Sequence, residues 1–476
     1  MRRTFSYPIA AVLSAVLCAC SHGDATTQAG PSPNWRAQVD ALANGALQHQ
    51  HLAGLSIAVA RDGVVLYAQG YGYRDLAKRL PATPHTIYNI ASMTKQFTAA
   101  CVMLLDQEGK LKVDDPISKF LPGFPHGDTI TIRELLNHTS GLADYLDLMD
   151  PNALSIPKIV ATIEKAPLRF KPGTRYEYSN SNYVLAGVIV AKAAGMPFDE
   201  FLTKRIFQPL GLHSTSIGTT PLDLPEGALG YTVQNGKTVL TPPQGVAILD
   251  YPDGGVNTTV LDLVKWDTAL DAGRVVDPVH LKMMMTPGPH GSETTYNYGF
   301  GLAIDSAFGH GEISHQGDWT GYSGENVTFP DDRFVIILLG NTDGFNEDYL
   351  AREIFAIFEH PSLAEHAIEL SSLPGENVQA TRLAQIVLAQ LAAGRLDPDK
   401  LSPDLRKRLT PAAASKLQRM LAGYGRLQRM IFLGRDSRPG AVSEIYRLFY
   451  PAAVVSYWVE VDPDGRVSDI SFSRED

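Results

Sequence analysis

Residues Gly54 to Ala60 and Val64 to Gln69 alternate apolar and polar positions on either side of Arg61-Asp62-Gly63, as the two strands of a hairpin do. The pattern returns far downstream, where Asn326 to Phe329 and Phe334 to Leu339 flank the turn-forming run Pro330-Asp331-Asp332-Arg333. Between the hairpins the periodicity is helical, at Ile132 to Asn137, Ile156 to Glu164, Tyr183 to Ala194, Phe198 to Phe207 and Leu261 to Ala272. Strands at both ends with helices between them predict an α+β domain over residues 35–360. Its antiparallel sheet is closed by the two ends of the segment and flanked by helices, with a helical region inserted. A helix from Trp35 to His49 opens the domain, and one from Glu347 to Phe358, stopped by His360-Pro361, closes it.

Apolar residues also recur at three- and four-residue intervals from Phe97 to Leu105, which predicts a helix with Ser92 at its first turn and Lys95 one turn further on. A serine hydroxyl becomes a useful nucleophile when a base lies within reach and positive potential stabilises the alkoxide. Lys95 is the candidate base, its pKa lowered if the apolar helix buries it, and the free N–H groups of the helix start favour negative charge. A second S-x-x-K, Ser155-Ile156-Pro157-Lys158, reads as an N-cap with proline in the first turn. In Arg175 to Tyr183, Tyr178 could take or relay the Ser92 proton if cationic neighbours lower its pKa, and Asn180 offers an amide to both substrate and lysine. The bland reading of this stretch is a polar turn capping the next helix. Ile313 to Tyr322 reads as a strand with glycines where a substrate backbone could approach. Within it His315 is either a cationic or proton-relaying group or a satisfied surface or core histidine.

A formal charge of −10, without any basic tract, excludes a nucleic-acid role. Met1-Arg2-Arg3 followed by the apolar run Ile9 to Cys20 reads as an export signal over residues 1–20, too short to span a bilayer, with a tether-like stretch at 21–34. Leu17-Cys18-Ala19-Cys20-Ser21 resembles a bacterial lipobox, which makes Cys20 the candidate lipidation site and leaves ordinary cleavage further on as the alternative. The localisation expected is the cell envelope, periplasmic or anchored through Cys20, the anchor being the only membrane contact. With Cys18 removed and Cys20 acylated, Cys101 has no disulfide partner and falls on the apolar face of its helix, as a core residue. His310 and His315 lie on opposite faces of one strand and no H-E-x-x-H accompanies them, so no metal site or cofactor is expected.

The motifs S-x-x-K, Y-x-N and H-x-G, in this order, resemble the serine β-lactamase and penicillin-binding-protein superfamily, specifically its class C-like branch. The resemblance extends to Leu135-Leu136-Asn137-His138-Thr139-Ser140-Gly141-Leu142, Pro172-Gly173, Pro209-Leu210-Gly211-Leu212, Gly254-Gly255, Tyr298-Gly299-Phe300-Gly301 and Gly340-Asn341, and covers residues 35 to 360. It implies a β-lactamase/transpeptidase-like fold, Ser92 as acylated nucleophile, Lys95 as base or electrostatic activator, Tyr178 as proton shuttle, and Asn180 as substrate-amide ligand. His315 would belong to the third motif, and the oxyanion hole would be the backbone N–H groups of Ser92 and Asp318. Two departures bear on substrate. His315 and Gln316 stand where β-lactamases of this branch carry a lysine and a hydroxyl that grip a carboxylate, as in the D-alanyl-D-alanine peptidase, D-aminopeptidase and esterase members. Asp318, after Gly317, is expected to place a negative charge beside the oxyanion hole.

The resemblance thus implies an exported serine hydrolase acting on an amide or ester of a small-molecule or peptide substrate, cell-wall fragments included. A true β-lactamase is the alternative enzyme, and an inactive penicillin-recognising binding protein the alternative of another class. Residues 361–476 lie outside the resemblance. A helix at Asn377 to Ala393, another from Thr410-Pro411, and strands at Leu427 to Leu433, Ser443 to Tyr450, Val454 to Val461 and Val467 to Phe472 predict a small α+β module, faintly NTF2-like. All three motifs precede it, so it is expected to be dispensable for chemistry.

Overall fold

A computed structural model describes residues 34–148, 155–234, 236–241, 251–289, 297–307, 310–345, 347–359, 377–425, 427, 429–438, 441–450 and 453–474. The expected export signal, the expected tether up to residue 33 and Cys20 lie outside the described residues.

The two hairpins meet as their patterns require. Strands β1 (Gly54–Arg61) and β2 (Val64–Asp75) form the first; α2 (Thr94–Gln107), α3 (Asn180–Ala194) and α4 (Val260–Asp271) follow; β3 (Ala303–Ala307), β4 (His310–Trp319), β5 (Tyr322–Phe329) and β6 (Phe334–Gly340) come last. Together with a two-residue strand at Leu80–Pro81 they make a seven-stranded sheet in the order Leu80–Pro81, β2, β1, β6, β5, β4, β3. The ends of the domain close on each other through antiparallel pairing of β1 with β6, from Leu55 opposite Gly340 to Arg61 opposite Phe334. Strand β6 reads Phe-Val-Ile-Ile-Leu-Leu-Gly and is buried at every position. Its side-chain period of two sends Val335, Ile337 and Leu339 into one core and Phe334, Ile336 and Leu338 into the other. The first core lies under α2, α3 and α4. The second is covered by α1 (Trp35–His49) and α5 (Glu347–Glu359). Each aliphatic side chain buried this way contributes about 1.5–3 kcal/mol before entropy is charged against it.

Helix α2 lies between sheet and inserted helices and is buried nearly all round, Cys101 included. Its polar side chains are therefore bonded internally: Thr98 Oγ1 donates to the Pro252 carbonyl (2.6 Å), and Gln96 exchanges hydrogen bonds with Asn326 and accepts from the Trp266 indole (2.7 Å). The expected helices are present, with α3 beginning three residues earlier than its apolar period because the polar residues Asn180 to Asn182 form its first turn. Ser155 occupies the N-cap position of the Ile156–Ile163 helix, makes no side-chain cap bond, and has no bond to Lys158.

The C-terminal unit is α+β with its own core. Helices α6 (Val378–Ala392), α7 (Pro403–Arg408) and α8 (Pro411–Tyr424) pack on a four-stranded antiparallel sheet of β7 (Arg429–Arg438), β8 (Ala441–Tyr450), β9 (Ala453–Val461) and β10 (Val467–Arg474). It is docked on the first domain. Strand β7 runs beside edge strand β3, and Arg447 on β8 makes a partly buried ion pair with Glu353 on α5.

Candidate active site

The chain enters α2 through one tight turn, Ala91–Met93. Ala91 has φ +43°, a left-handed conformation that costs a non-glycine residue about 1–3 kcal/mol. Asn89 holds it there: the Ala91 N–H donates to Asn89 Oδ1 (2.9 Å), while Asn89 Nδ2 donates to the Gly254 carbonyl and to Asn257 Oδ1. The turn buries Ala91 and Met93 and leaves Ser92 partly exposed between them.

Lys95 is fully buried, and its ammonium has three partners for three hydrogens: Ser92 Oγ at 2.9 Å, Asn180 Oδ1 at 2.8 Å and the Asp253 carbonyl at 2.8 Å. Burial lowers its pKa to about 8, against the opposing pull of Asp253 and Asp144. The geometry has a chemical consequence. Two of the three partners are carbonyl oxygens that only accept, so when the amine loses a proton its lone pair has one place to point, the Ser92 hydroxyl.

The Tyr178 phenol lies close enough to the Ser92 hydroxyl for that group to draw its pKa down, and its ring lies 5.0 Å from the Lys95 ammonium. The expectation of a lowered Tyr178 pKa is overturned. Burial outweighs the influence of the Ser92 hydroxyl and the phenol is pushed up, so it rests neutral. Asn180 gives its oxygen to Lys95, while its backbone and side-chain N–H groups both donate to Asp144 Oδ2, at 3.0 and 2.8 Å. One amide hydrogen remains for a substrate.

Strand β4 passes directly over this turn. A Cβ on Gly317 would lie 2.1 Å from the Ile90 carbonyl, which accounts for the glycine of H-x-G. The hairpin to β5 closes at Trp319 opposite Tyr322, so Trp319, Gly317 and His315 bond inward and the N–H groups of Asp318 and Gln316 face the open edge. His315 shares the face of Gly317. It is buried, its Nδ1–H donates to the Gln316 carbonyl (2.6 Å), and Nε2 accepts from the Tyr298 hydroxyl (2.7 Å). Burial and the nearby Lys95 lower its pKa to about 3, so a cationic His315 is ruled out at neutral pH. Gln316 is exposed at the edge.

Asp318 also needs correcting. The strand's pleat turns its carboxylate to the face opposite His315, where Ser323 Oγ (2.9 Å) and the Gly344 N–H (3.3 Å) donate to it. Its backbone N–H, not its charge, faces the site. His310 lies on that opposite face too, paired with Asp332 (2.7 Å) and packed edge-on against Phe355.

A serine on a strained turn, a buried lysine, a tyrosine and a sheet-edge N–H converge on one point. The sequence pattern of the Beta-lactamase family matches residues 39–358. The chain belongs to that family. Penicillin-binding protein 4* of Bacillus subtilis (strain 168) is 31% identical over 316 residues, 62% of this chain and 70% of that protein. Among solved structures, the octameric penicillin-binding protein homologue from Pyrococcus abyssi aligns with TM-score 0.61 and 25% identity over 90% of this chain and 91% of its own. That extent reaches past the first domain into the C-terminal unit. The D-amino acid amidase from Ochrobactrum anthropi SV3, complexed with L-phenylalanine amide, aligns with TM-score 0.58 and 27% identity over 69% of this chain and 99% of its own. As a member of this beta-lactamase family the chain is a serine hydrolase.

Sequence reasoning did not single out four residues that this family member places around Ser92 and Lys95. Asp144 orients Asn180, and Tyr298 holds His315. His138 accepts at Nδ1 from the Ser179 N–H and Asn182 Nδ2, with its ring 4.2 Å from that of Tyr178. Asp253 lies behind Lys95. His138 and Tyr298 fall inside quoted motifs and Asp253 directly precedes Gly254-Gly255, but no periodicity marks them because their contacts span loops far apart in sequence.

Proposed function

We propose that the chain is an exported hydrolase cleaving amides or esters through an acyl-Ser92 intermediate, with neutral or amine-bearing substrates such as D-aminoacyl amides and short esters favoured over penicillins. The observation that carries the reading is the buried Lys95 amine 2.9 Å from Ser92 Oγ with its other two partners fixed as acceptors. Ser92 Oγ attacks the substrate carbonyl, and its proton passes to the Lys95 lone pair. The carbonyl electrons move onto an oxyanion facing the N–H groups of Ser92 and Asp318. Tyr178, a neutral phenol beside both groups, relays the proton to the departing amine or alcohol as the acyl bond to Ser92 forms. Water then releases the acid along the reverse path.

Substrate preference rests on charge. His315 is neutral and Gln316 carries no charge, so the strand edge offers no cation to a carboxylate. The absence of an attractive partner disfavours penicillins by about 1–3 kcal/mol relative to neutral substrates. The D-amino acid amidase structure supports this class. The second reading, a β-lactamase, is favoured by the family pattern itself. The test combines intact-mass analysis after a fluorophosphonate with turnover of D-aminoacyl amides, short esters and a chromogenic cephalosporin. One adduct on wild type, none on Ser92→Ala, and amides or esters preferred at least about fivefold are expected. A preferred cephalosporin promotes the second reading, and a labelled protein that turns over nothing indicates an inactive binding protein.

Export rests on Met1-Arg2-Arg3 and the apolar run to Cys20, with Cys20 proposed as the lipid attachment site in the cell envelope. Incorporation of labelled palmitate that survives Cys20→Ala would refute the anchor.

A further inference from the structure

Asp253 is brought beneath Lys95 by close packing of the preceding residue: a Cβ on Gly187 of α3 would lie 2.1 Å from Pro252 Cγ, so only glycine lets helix and loop approach this far. The Asp253 carbonyl takes one Lys95 hydrogen, and its carboxylate turns inward, 5% exposed. One oxygen, Oδ2, accepts from the Tyr145 hydroxyl at 2.9 Å. The other, Oδ1, has no hydrogen-bond partner among the described residues. A buried carboxylate with half its acceptor capacity unmet is costly unless a cation compensates. Burial pushes the Asp253 carboxyl up from the ordinary carboxylate range, and the attraction of Lys95, the cation facing it, is the largest influence drawing it back down.

We infer that Asp253 is a positioning residue for the reaction, a buried counter-ion that governs how tightly Lys95 holds its proton, with Tyr145 orienting its carboxylate. This rests on the reading of Ser92 and Lys95 given above. The other titratable groups around the pair are Asp144, Tyr145 and His138 from the loops after the Ile132–Leu136 helix, Tyr178 before α3, Tyr183 within it, His315 on β4 and Tyr251. Burial keeps His138 and His315 uncharged, and Tyr145, Tyr178 and Tyr183 as neutral phenols. Two carboxylates therefore face one amine. Asp144 already accepts from the Leu146 N–H and from both donors of Asn180, whereas Asp253 has a single donor and less solvent. Asp253 is thus the one whose charge Lys95 must balance.

The sign follows. An adjacent anion favours the protonated amine, so removing the anion lets Lys95 deprotonate at lower pH. The experiment measures the rate of Ser92 labelling by a neutral fluorophosphonate against pH, in full-length wild type, Asp253→Asn and Tyr145→Phe. The Asp253→Asn midpoint is expected to fall by about one unit. One unit below the wild-type midpoint, its labelling relative to its own plateau then rises about fivefold. Tyr145→Phe, which removes only a hydroxyl, moves the midpoint the same way by less and decides the matter if Asp253→Asn does not fold. A midpoint that stays put or rises overturns the inference, even where the plateau drops, because loosened packing lowers the plateau without shifting the midpoint. Unlabelled Ser92 in the wild type overturns the underlying reading as well.

Discussion

Proton position at single residues is where burial and sequence pattern part company. Lys95 and His315 are both cation-forming and both buried, and both pKa values fall, to about 8 and about 3. Two nearby carboxylates restrain the first, while the second faces Lys95 itself. Asp271, the last residue of α4, shows the same physics for an acid. Burial raises its pKa to about 7, and the negative end of the helix dipole disfavours its anion further. Its folded pKa lies above the unfolded one, so its contribution to stability is intact below about pH 4 and is lost as pH rises toward 7. Asp271→Asn is therefore expected to be more stable than wild type at pH 8 by roughly 1–2 kcal/mol, with a smaller gap at pH 5. Urea unfolding at both values measures it, and a gap that widens on acidification would place the buried proton elsewhere.

At the level of elements, the site forms where β4 crosses the turn into α2, and the spacing of that crossing is set by a missing side chain, the Cβ of Gly317. Strand β4 is held from its other face. Arg352 on α5 pairs with Glu312 on β4 and Asp305 on β3 (both 2.9 Å), and the next residue, Glu353, pairs with Arg447 of the C-terminal sheet. Helix α5 thus links the two units just behind the strand that carries His315. Reversing either charge of the Arg447–Glu353 pair leaves like charges facing each other in a poorly solvated contact. Glu353→Arg and Arg447→Glu are each expected to lower the thermal unfolding temperature or split the transition in two, at a cost on the order of 2–4 kcal/mol. The double variant should recover most of the loss. Calorimetry reads this directly, and purely additive losses would mean that the pair does not dock the C-terminal unit.

Across the whole molecule, the sequence by itself determined the elements whose signals are local. The strand-forming runs of β1, β2, β5 and β6 on either side of turn-forming residues specified two hairpins at the ends of one domain, because turn chemistry and strand preference are local properties of the chain. The three-and-four spacing after Ser92 put Lys95 over the serine, since one helical turn is fixed geometry. The short strand β3, and the sheet order that sets β4 over Ser92, were illegible: β3 is five residues long and takes its meaning from a neighbour. Tertiary structure alone decided the charges at the site. Which face of β4 carries the Asp318 carboxylate depends on register; whether Tyr178 and His315 are ionised depends on how much water reaches them; and Asp253 stands against Lys95 only because Gly187 and Pro252 pack α3 onto a distant loop. Electrostatic free energy depends on separation in space and on local solvent, and neither is a property of neighbours along the chain.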